Sequence, residues 1–374
     1  MRGVKYIGPV GDFSGYGEAS RNYIFALHAK GIPVTVSPRN FDPNPPPIAD
    51  ENKRLLLGSL IDKQISYDVV IIHLTPDLYP LYAEKSKYNI GFAAWETSLI
   101  HPKWAGACSV LDELWVPCEW NAQAFLDSGV KIPIYKVPHG IDTNMFSELK
   151  NKEFTIRDLP KSTFKFYSIF QWIYRKNPEG LLRAYFNAFT SEDSVVLILK
   201  TYMAGMSRDK SFLKEKILEI KKDMNIGYYP KVILIGDLLS NTQMMGLHLY
   251  GDCCVCLHRG EGWGLPLFEA GLAGNPVIAT DCGGNVEFMD NDNSYLVNSH
   301  MTYVSHMSTF NPWYLGNQEW AEPSLVHASK LMRRAFDNRE ESTIKGTKLK
   351  NNIKDKFSWD SVSDVIVDRL GSIK

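Results

Sequence analysis

GEGWGLPLFEAG, residues 260–271, carries two glutamates, Glu261 and Glu269, with seven residues between them. The lead-in, CCVCLHR (253–259), is a short continuous apolar run of the kind that forms a buried strand. The lead-out, LPLFEAGLAG, has Pro266 where a helix begins and Gly274 where it stops. Glu261 therefore falls in a strand-to-helix loop and Glu269 about one turn into the helix. Gly262 and Gly264 free the backbone beside Glu261, and N–H groups at such a helix start favour a diphosphate or a sugar hydroxyl. A carboxylate can accept two hydrogen bonds from adjacent hydroxyls, as on a ribose or hexose. The plainer reading is a solvated loop acid and a helix-surface glutamate.

Strand and helix signals alternate along most of the chain. VKYIG is followed by the glycine loop PVGDFSGYG, and EASRNYIFALHAK then sets Ala19, Tyr23, Ala26 and Leu27 on one helical face before Gly31. PVTV, DVVIIHL, NIGFAA, ELWVP and IYKVP are unalternating apolar runs, as expected of parallel strands covered on both faces. The PNPPP at 43–47 reads as a loop. The polar stretch 148–163 lacks either periodicity and reads as a domain boundary, after which KFYSIF, VVLILKTY, KVILIG, CCVCLHR, PVIAT and SYLV begin a second alternation. The fold class is α/β, with two Rossmann-like doubly wound domains. Residues 1–150 make the first domain, 151–356 the second, and a last helix at 357–374 returns to the first. The Gly15 and Gly17 loop reads equally as a ligand loop or as an ordinary β–α turn.

At 374 residues the chain is long enough for two or three domains. Forty-one basic residues against 42 acidic ones give a charge of −1, so no global field advertises a nucleic-acid partner. Membrane contact is expected to be peripheral at most. Six cysteines show no zinc-type spacing, and three of them crowd one apolar strand as small hydrophobes. Free thiols fit a reducing compartment. The opening MRGVKYIGPVGDFSG has too short an apolar run for a signal peptide, and no segment reaches transmembrane length. The expectation is a cytoplasmic protein.

EGWGLPLFEAGLAGNPVIATDCGGNVEF strongly resembles the nucleotide-sugar signature of retaining glycosyltransferases of the GT-B fold, family 4, with its Glu-x7-Glu motif. Trp263 stands where that family usually has phenylalanine. VPHGIDTNMF (137–146), VILIGDLLS, WETSLIHPKW and EWAEPS follow the family's order or that of a subset of it. The resemblance implies two domains facing a central cleft and transfer of a hexose from a GDP- or UDP-sugar to a carbohydrate or glycoconjugate acceptor, with retained configuration. It implies no cofactor beyond that donor. Glu269 would bind the ribose hydroxyls. Glu261 and the N–H groups of Gly262, Trp263, Gly264 and Leu265 would grip the sugar, and Gly236, Asp237 and Leu238 would lie by the base. Lys176 matches the family's diphosphate lysine, where it would neutralise charge on the leaving group.

Two departures accompany the match. The family's partner arginine is Gln171 here, with Arg175 or a residue elsewhere left to compensate. Where many members place a histidine, this chain has Trp95 and Glu96. Glu96 could orient a sugar hydroxyl, act as base toward the acceptor, or cap the following turn. His73 and His101 are weaker candidates, His73 reading as a core histidine. Asp290-Asn291-Asp292 has Asp-x-Asp spacing but sits in a polar loop that reads as a turn, so no metal is expected. Trp104, Trp115, Trp120, Trp172, Trp313 and Trp320 could stack on sugars, with buried core the default. The competing functions are another GT-B activity, such as a nucleotide-sugar epimerase or a phosphorylase, and a non-catalytic nucleotide-sugar-binding subunit.

Overall fold

A computed structural model describes residues 3–42, 48, 50–147, 149, 154–202, 210–304 and 311–373. The proline-rich loop at 43–47 falls outside them, as do residues 148 and 150–153 of the polar boundary. The chain divides into two compact units: Met1–Asp142 with Val304–Gln318 and Asp355–Lys374, and Thr143–Tyr303 with Glu319–Lys354.

In the first unit, β1 (Val4–Gly8), β2 (Val34–Pro38), β3 (Val69–Ile72), β4 (Tyr88–Phe92), β5 (Glu113–Val116) and β6 (Ile134–Lys136) form one parallel sheet. Its order is β2-β1-β3-β4-β5-β6. The runs VVII and ELWV are buried at every position, which is why they carry no polar alternation. The last helix, Trp359–Ser372, packs Val362, Ile366 and Leu370 into this unit's core. Its Arg369 reaches the fully buried Glu113, which also accepts from Trp115 Nε1 at 2.7 Å and from the Tyr88 hydroxyl at 2.8 Å.

The second unit repeats the scheme with β7 (Phe164–Gln171), β8 (Val195–Tyr202), β9 (Lys231–Ile235), β10 (Cys253–Cys256), β11 (Val277–Thr280) and β12 (Tyr295–Val297). The order is β12-β11-β10-β7-β8-β9. The chain builds outward from β7 to β9, then returns to lay β10 against the other side of β7. That reversal is the topological switch point, where the carboxyl ends of two adjacent strands diverge and leave room for a ligand. Cys253, Cys254 and Cys256 are buried on β10 as free thiols and act there as small hydrophobes. Each unit has its own hydrophobic cluster.

An antiparallel hairpin, β13 (Ser299–Tyr303) and β14 (Glu319–Pro323), also belongs to the second unit. Residues Val304–Gln318, between its strands, group with the first unit, although they lie inside the 151–356 stretch expected to form the second domain. Val304 N–H donates to Gln318 O at 2.9 Å and closes the base of this excursion. Among the described residues no helix is long and apolar enough to cross a membrane.

Candidate active site

The site is built at the switch point, from the loops that leave β7 and β10. After β7 the chain makes a tight turn, Tyr174–Lys176, and passes through Asn177 with φ 53° and ψ 50°. Asparagine tolerates this left-handed conformation better than most residues. Its side chain accepts from Gly180 N–H at 3.0 Å and caps the helix Pro178–Ala188. The turn thereby fixes Arg175 and Lys176 ahead of that helix.

After β10, Gly264 turns the chain at φ 96° into the helix Leu265–Ala273, a backbone region that favours glycine. Two further glycines brace the loop from the side. Gly284 N–H donates to Glu261 O at 2.7 Å, and a Cβ on Gly284 would stand 2.2 Å from Gly262 O. Sequence reasoning assigned Gly283 and Gly284 no role, although the GG pair was a visible signal of close backbone approach. Of the helix's opening groups, Pro266 has no N–H and Leu267 N–H donates to Gly264 O at 2.9 Å, so the helix start offers chiefly the N–H of Leu265.

Lys176 Nζ and Glu261 Oε2 form an ion pair, with the side chains 15% and 13% exposed. Burial alone would push the Glu261 carboxyl up. The charges of Lys176 and Arg175 outweigh it and hold the carboxyl down to about 2. Arg175 also donates to Gly260 O at 2.7 Å, so it supports the loop as well as charging it. Beneath the pair, His258 is fully buried, and burial lowers its ring to about 4. It is a neutral neighbour that sequence reasoning passed over. A second overlooked residue, Arg259, ties three elements together. It donates to Tyr174 O at 2.6 Å, lies 3.9 Å above the Tyr174 ring, and meets Glu322 of β14 at 2.5 and 3.0 Å.

The depressed Glu261 pKa has a measurable consequence. A carboxyl lowered from 4.5 to about 2 contributes stability that is complete above its unfolded value and is lost as pH falls through the interval. Glu261→Gln should therefore destabilise the protein by about 2 kcal/mol near neutral pH, after allowance for residual solvent screening. Urea unfolding from about pH 6 to about pH 3 should show the gap to wild type closing as Glu261 protonates. A gap independent of pH would mean the pair is not intact.

Glu269 lies in the second turn of the helix, 28% exposed, where its Oε2 meets Nε2 of the buried His248 at 3.3 Å. The structure thus places Lys176, Arg175, Glu261 and Glu269 on loops and a helix of one sheet. The Trp263 indole turns inward against Phe268 and Phe288, at 5.3 and 5.2 Å between ring centroids, and its side chain belongs to the core. Gly236, Asp237 and Leu238 follow the edge strand β9. Asp237 pairs with Lys210 at 2.6 Å, and the Leu238 side chain is exposed. Gln171, at the end of β7, carries no charge to replace the missing arginine; Arg175 acts on Glu261 from the following turn.

In the first unit, Gly15 opens the helix Gly15–Ala29 and is exposed, while Gly17 gives its N–H to Ser14 Oγ at 3.2 Å. A Cβ on Gly17 would stand 2.2 Å from Asp12 O, so close packing alone requires this glycine. Glu96 follows β4 and accepts a hydrogen bond from the Tyr314 hydroxyl, supplied by the 304–318 excursion. Trp95 stacks obliquely on Tyr314 at 5.3 Å. His73 is a buried core histidine, bonded to the Tyr6 hydroxyl at 2.6 Å and stacked on Phe92. His101 caps a short helix by accepting from Lys103 N–H at 3.1 Å. Trp104, Trp115 and Trp320 are core.

The Asp-x-Asp stretch is a turn. Asp290 Oδ1 accepts from the N–H groups of Asp292 and Asn293 at 2.8 and 3.0 Å. Among the described residues no group of three or more acidic, histidine or cysteine side chains is arranged to hold a metal ion.

Residues 164–308 match the family model described as Glycosyl transferases group 1, so the chain carries a glycosyltransferase domain. The solved structures similar over the whole length include Anabaena HepE in complex with UDP and glucose, at 12% identity and TM-score 0.67, covering 100% of both chains. Sucrose-phosphate synthase from Thermosynechococcus elongatus aligns at 16% identity and TM-score 0.71, over 99% of this chain and 98% of that one. The OtsA apo structure aligns at 13% and 0.67, over 100% of both. At such low identity the structural similarity shows the fold alone, the paired Rossmann-like units of GT-B. No curated protein matches the chain.

Proposed function

We propose that the chain moves a hexose from a nucleoside-diphosphate sugar to a hydroxyl of a glycan, lipid or other acceptor, with retention of configuration. The carrying observation is the Lys176–Glu261 pair at the switch point, with Glu269 on the helix that follows. Family resemblance supports a GDP- or UDP-sugar, and the UDP, UDP-glucose and glucose named with the Anabaena structures favour the UDP-sugar. In this reading Lys176 exchanges Glu261 for a diphosphate oxygen when the donor enters. Glu261, held ionised, then accepts from a sugar hydroxyl, and Glu269 accepts from the ribose. The bond from C1 to the diphosphate oxygen breaks and the bond to the acceptor oxygen forms on the same face. The acceptor's proton passes to the departing phosphate oxygen, and Lys176 and the helix start stabilise the charge.

The first unit is proposed to hold the acceptor, with Glu96 and Tyr314 orienting a hydroxyl there. The buried free cysteines suit a reducing, cytoplasmic setting. No metal is needed in this scheme, because cationic side chains take the diphosphate. Turnover should therefore be unchanged by EDTA. The test is release of nucleoside diphosphate from candidate nucleotide-sugars, with and without acceptor sugars, and NMR of the anomeric centre in the product. Acceptor-dependent release with an unchanged anomer supports the proposal. Conversion of the donor sugar without acceptor would mean an epimerase, and donor binding without any release would mean a binding subunit.

A further inference from the structure

The one protein hydrogen bond to Glu269 among the described residues comes from a buried chain of polar groups. Asn275 Nδ2 donates to His248 O at 2.6 Å and to the Tyr167 hydroxyl oxygen at 2.8 Å. The carbonyl can only accept, so it fixes the orientation of the Asn275 amide. The Tyr167 oxygen therefore receives a hydrogen from Asn275 and keeps its own hydrogen to give. The Glu269 carboxylate can only accept, so His248 Nε2 donates to it and Nδ1 of the neutral ring takes the Tyr167 hydrogen at 2.9 Å. Burial raises the Tyr167 phenol well above its ordinary value, so the hydroxyl stays protonated. With Nδ1 accepting, the neutral imidazole carries its proton on Nε2, which faces Glu269 Oε2 at 3.3 Å. His248 and Tyr167 are both fully buried, and the Phe146 ring stands edge-on to the imidazole at 6.3 Å.

Each neighbour thus holds the next in one hydrogen-bonding state. The direction of donation runs from the sheet, where Tyr167 lies on β7, through the helix Asn241–Tyr250 to the carboxylate. We propose that His248 is a positioning residue that fixes the rotation of the Glu269 carboxylate, occupying Oε2 and leaving Oε1 to the ribose 2′-hydroxyl. The Asn275–Tyr167–His248 chain would then make the site selective for ribonucleotides over 2′-deoxyribonucleotides. This rests on the reading of Glu269 as the ribose ligand. A carboxylate free to rotate would still bind the nucleotide but would lose much of its preference for the 2′-hydroxyl, because the geometry is no longer preset.

The experiment measures dissociation constants of UDP, GDP and ADP, then of the 2′-deoxy form of the tightest, for four proteins: wild type, Glu269→Ala, His248→Leu and His248→Gln. A hydrogen bond to a charged group implies a ribose preference of about tenfold or more in wild type. His248→Leu is expected to lose most of that preference with little change in affinity for the deoxy form. His248→Gln, whose amide can occupy the Nε2 position, should restore it. Tyr167→Phe keeps the imidazole but releases its tautomer, and should reduce the preference several-fold. Thermal unfolding without nucleotide checks that each variant is folded, and Tyr167→Phe and His248→Gln carry the test if His248→Leu is not. Undiminished ribose preference in His248→Leu or Tyr167→Phe, with Glu269→Ala having lost it, would overturn the relay alone. No ribose preference in wild type, or an unchanged one in Glu269→Ala, would overturn the ribose assignment on which it rests.

Discussion

Lys176→Ala is expected to lower turnover by about 10²- to 10³-fold, with a much smaller change in KM for the nucleotide-sugar. The charge on the leaving diphosphate grows as the C1–oxygen bond breaks, so a fixed ammonium beside it stabilises the transition state more than the bound donor. The site supplies this charge with little reorganisation, since the Tyr174–Lys176 turn and the Asn177 cap hold the lysine's backbone in place. Lys176→Ala also removes the partner of a largely buried Glu261, so the variant should unfold at a lower temperature. Rates must therefore be compared well below both transitions. Lys176→Arg retains the charge and should recover part of the rate, though its planar fork is not a lysine's point charge. Equal loss of binding and rate would instead mean that Lys176 grips the donor uniformly and has no special role in departure.

Glu269→Ala is expected to weaken nucleoside-diphosphate binding by about 10- to 10²-fold, the loss of the charge-assisted hydrogen bond from the ribose 2′-hydroxyl. The side chain is 28% exposed, and alanine suits a helix interior, so the helix Leu265–Ala273 should persist. His248 loses a long 3.3 Å contact but keeps Tyr167, which limits the cost to stability. Isothermal titration gives the affinity directly, and circular dichroism confirms the fold. An affinity within about threefold of wild type, under 1 kcal/mol, would remove Glu269 from the binding site.

Much of this was legible in the residues themselves. Unalternating runs such as VVII and VVLILKTY announce strands buried on both faces, and their spacing with helical stretches announces parallel sheets. The loop 260–265 was legible because its demands are local: Gly264 needs its left-handed φ, and Pro266 its place in the first helical turn. Lys176 and Glu261 were each read as site residues. Their pairing was not, because 85 residues separate them and only the β7–β10 adjacency brings them together.

The same reason hid Arg259, whose partner Glu322 is 63 residues away. His248 carries no motif and lies on a weakly patterned helix. The role proposed for it comes wholly from its contacts with Tyr167 on β7 and Glu269 on the next helix. The 304–318 excursion was invisible for another reason. It has neither helical nor strand period, and nothing in its composition says that Trp313 and Tyr314 should pack against Trp104 and Trp95. Gly17 shows the converse. Its conspicuous loop invited a ligand role, yet the approach of Asp12 O already requires a glycine there.

Every role proposed above depends on a nucleoside-diphosphate-sugar site at the switch point of the second sheet. Thermal unfolding of the wild-type protein with UDP, GDP, ADP and dTDP, beside Lys176→Ala and Glu269→Ala, tests it most directly. A nucleotide at about 100 times its dissociation constant should add about 2.7 kcal/mol to the folded state. The predicted result is stabilisation by one nucleotide, UDP before the others, and its loss in Glu269→Ala. Stabilisation by none of the four, or equal stabilisation of wild type and both variants, would contradict the site.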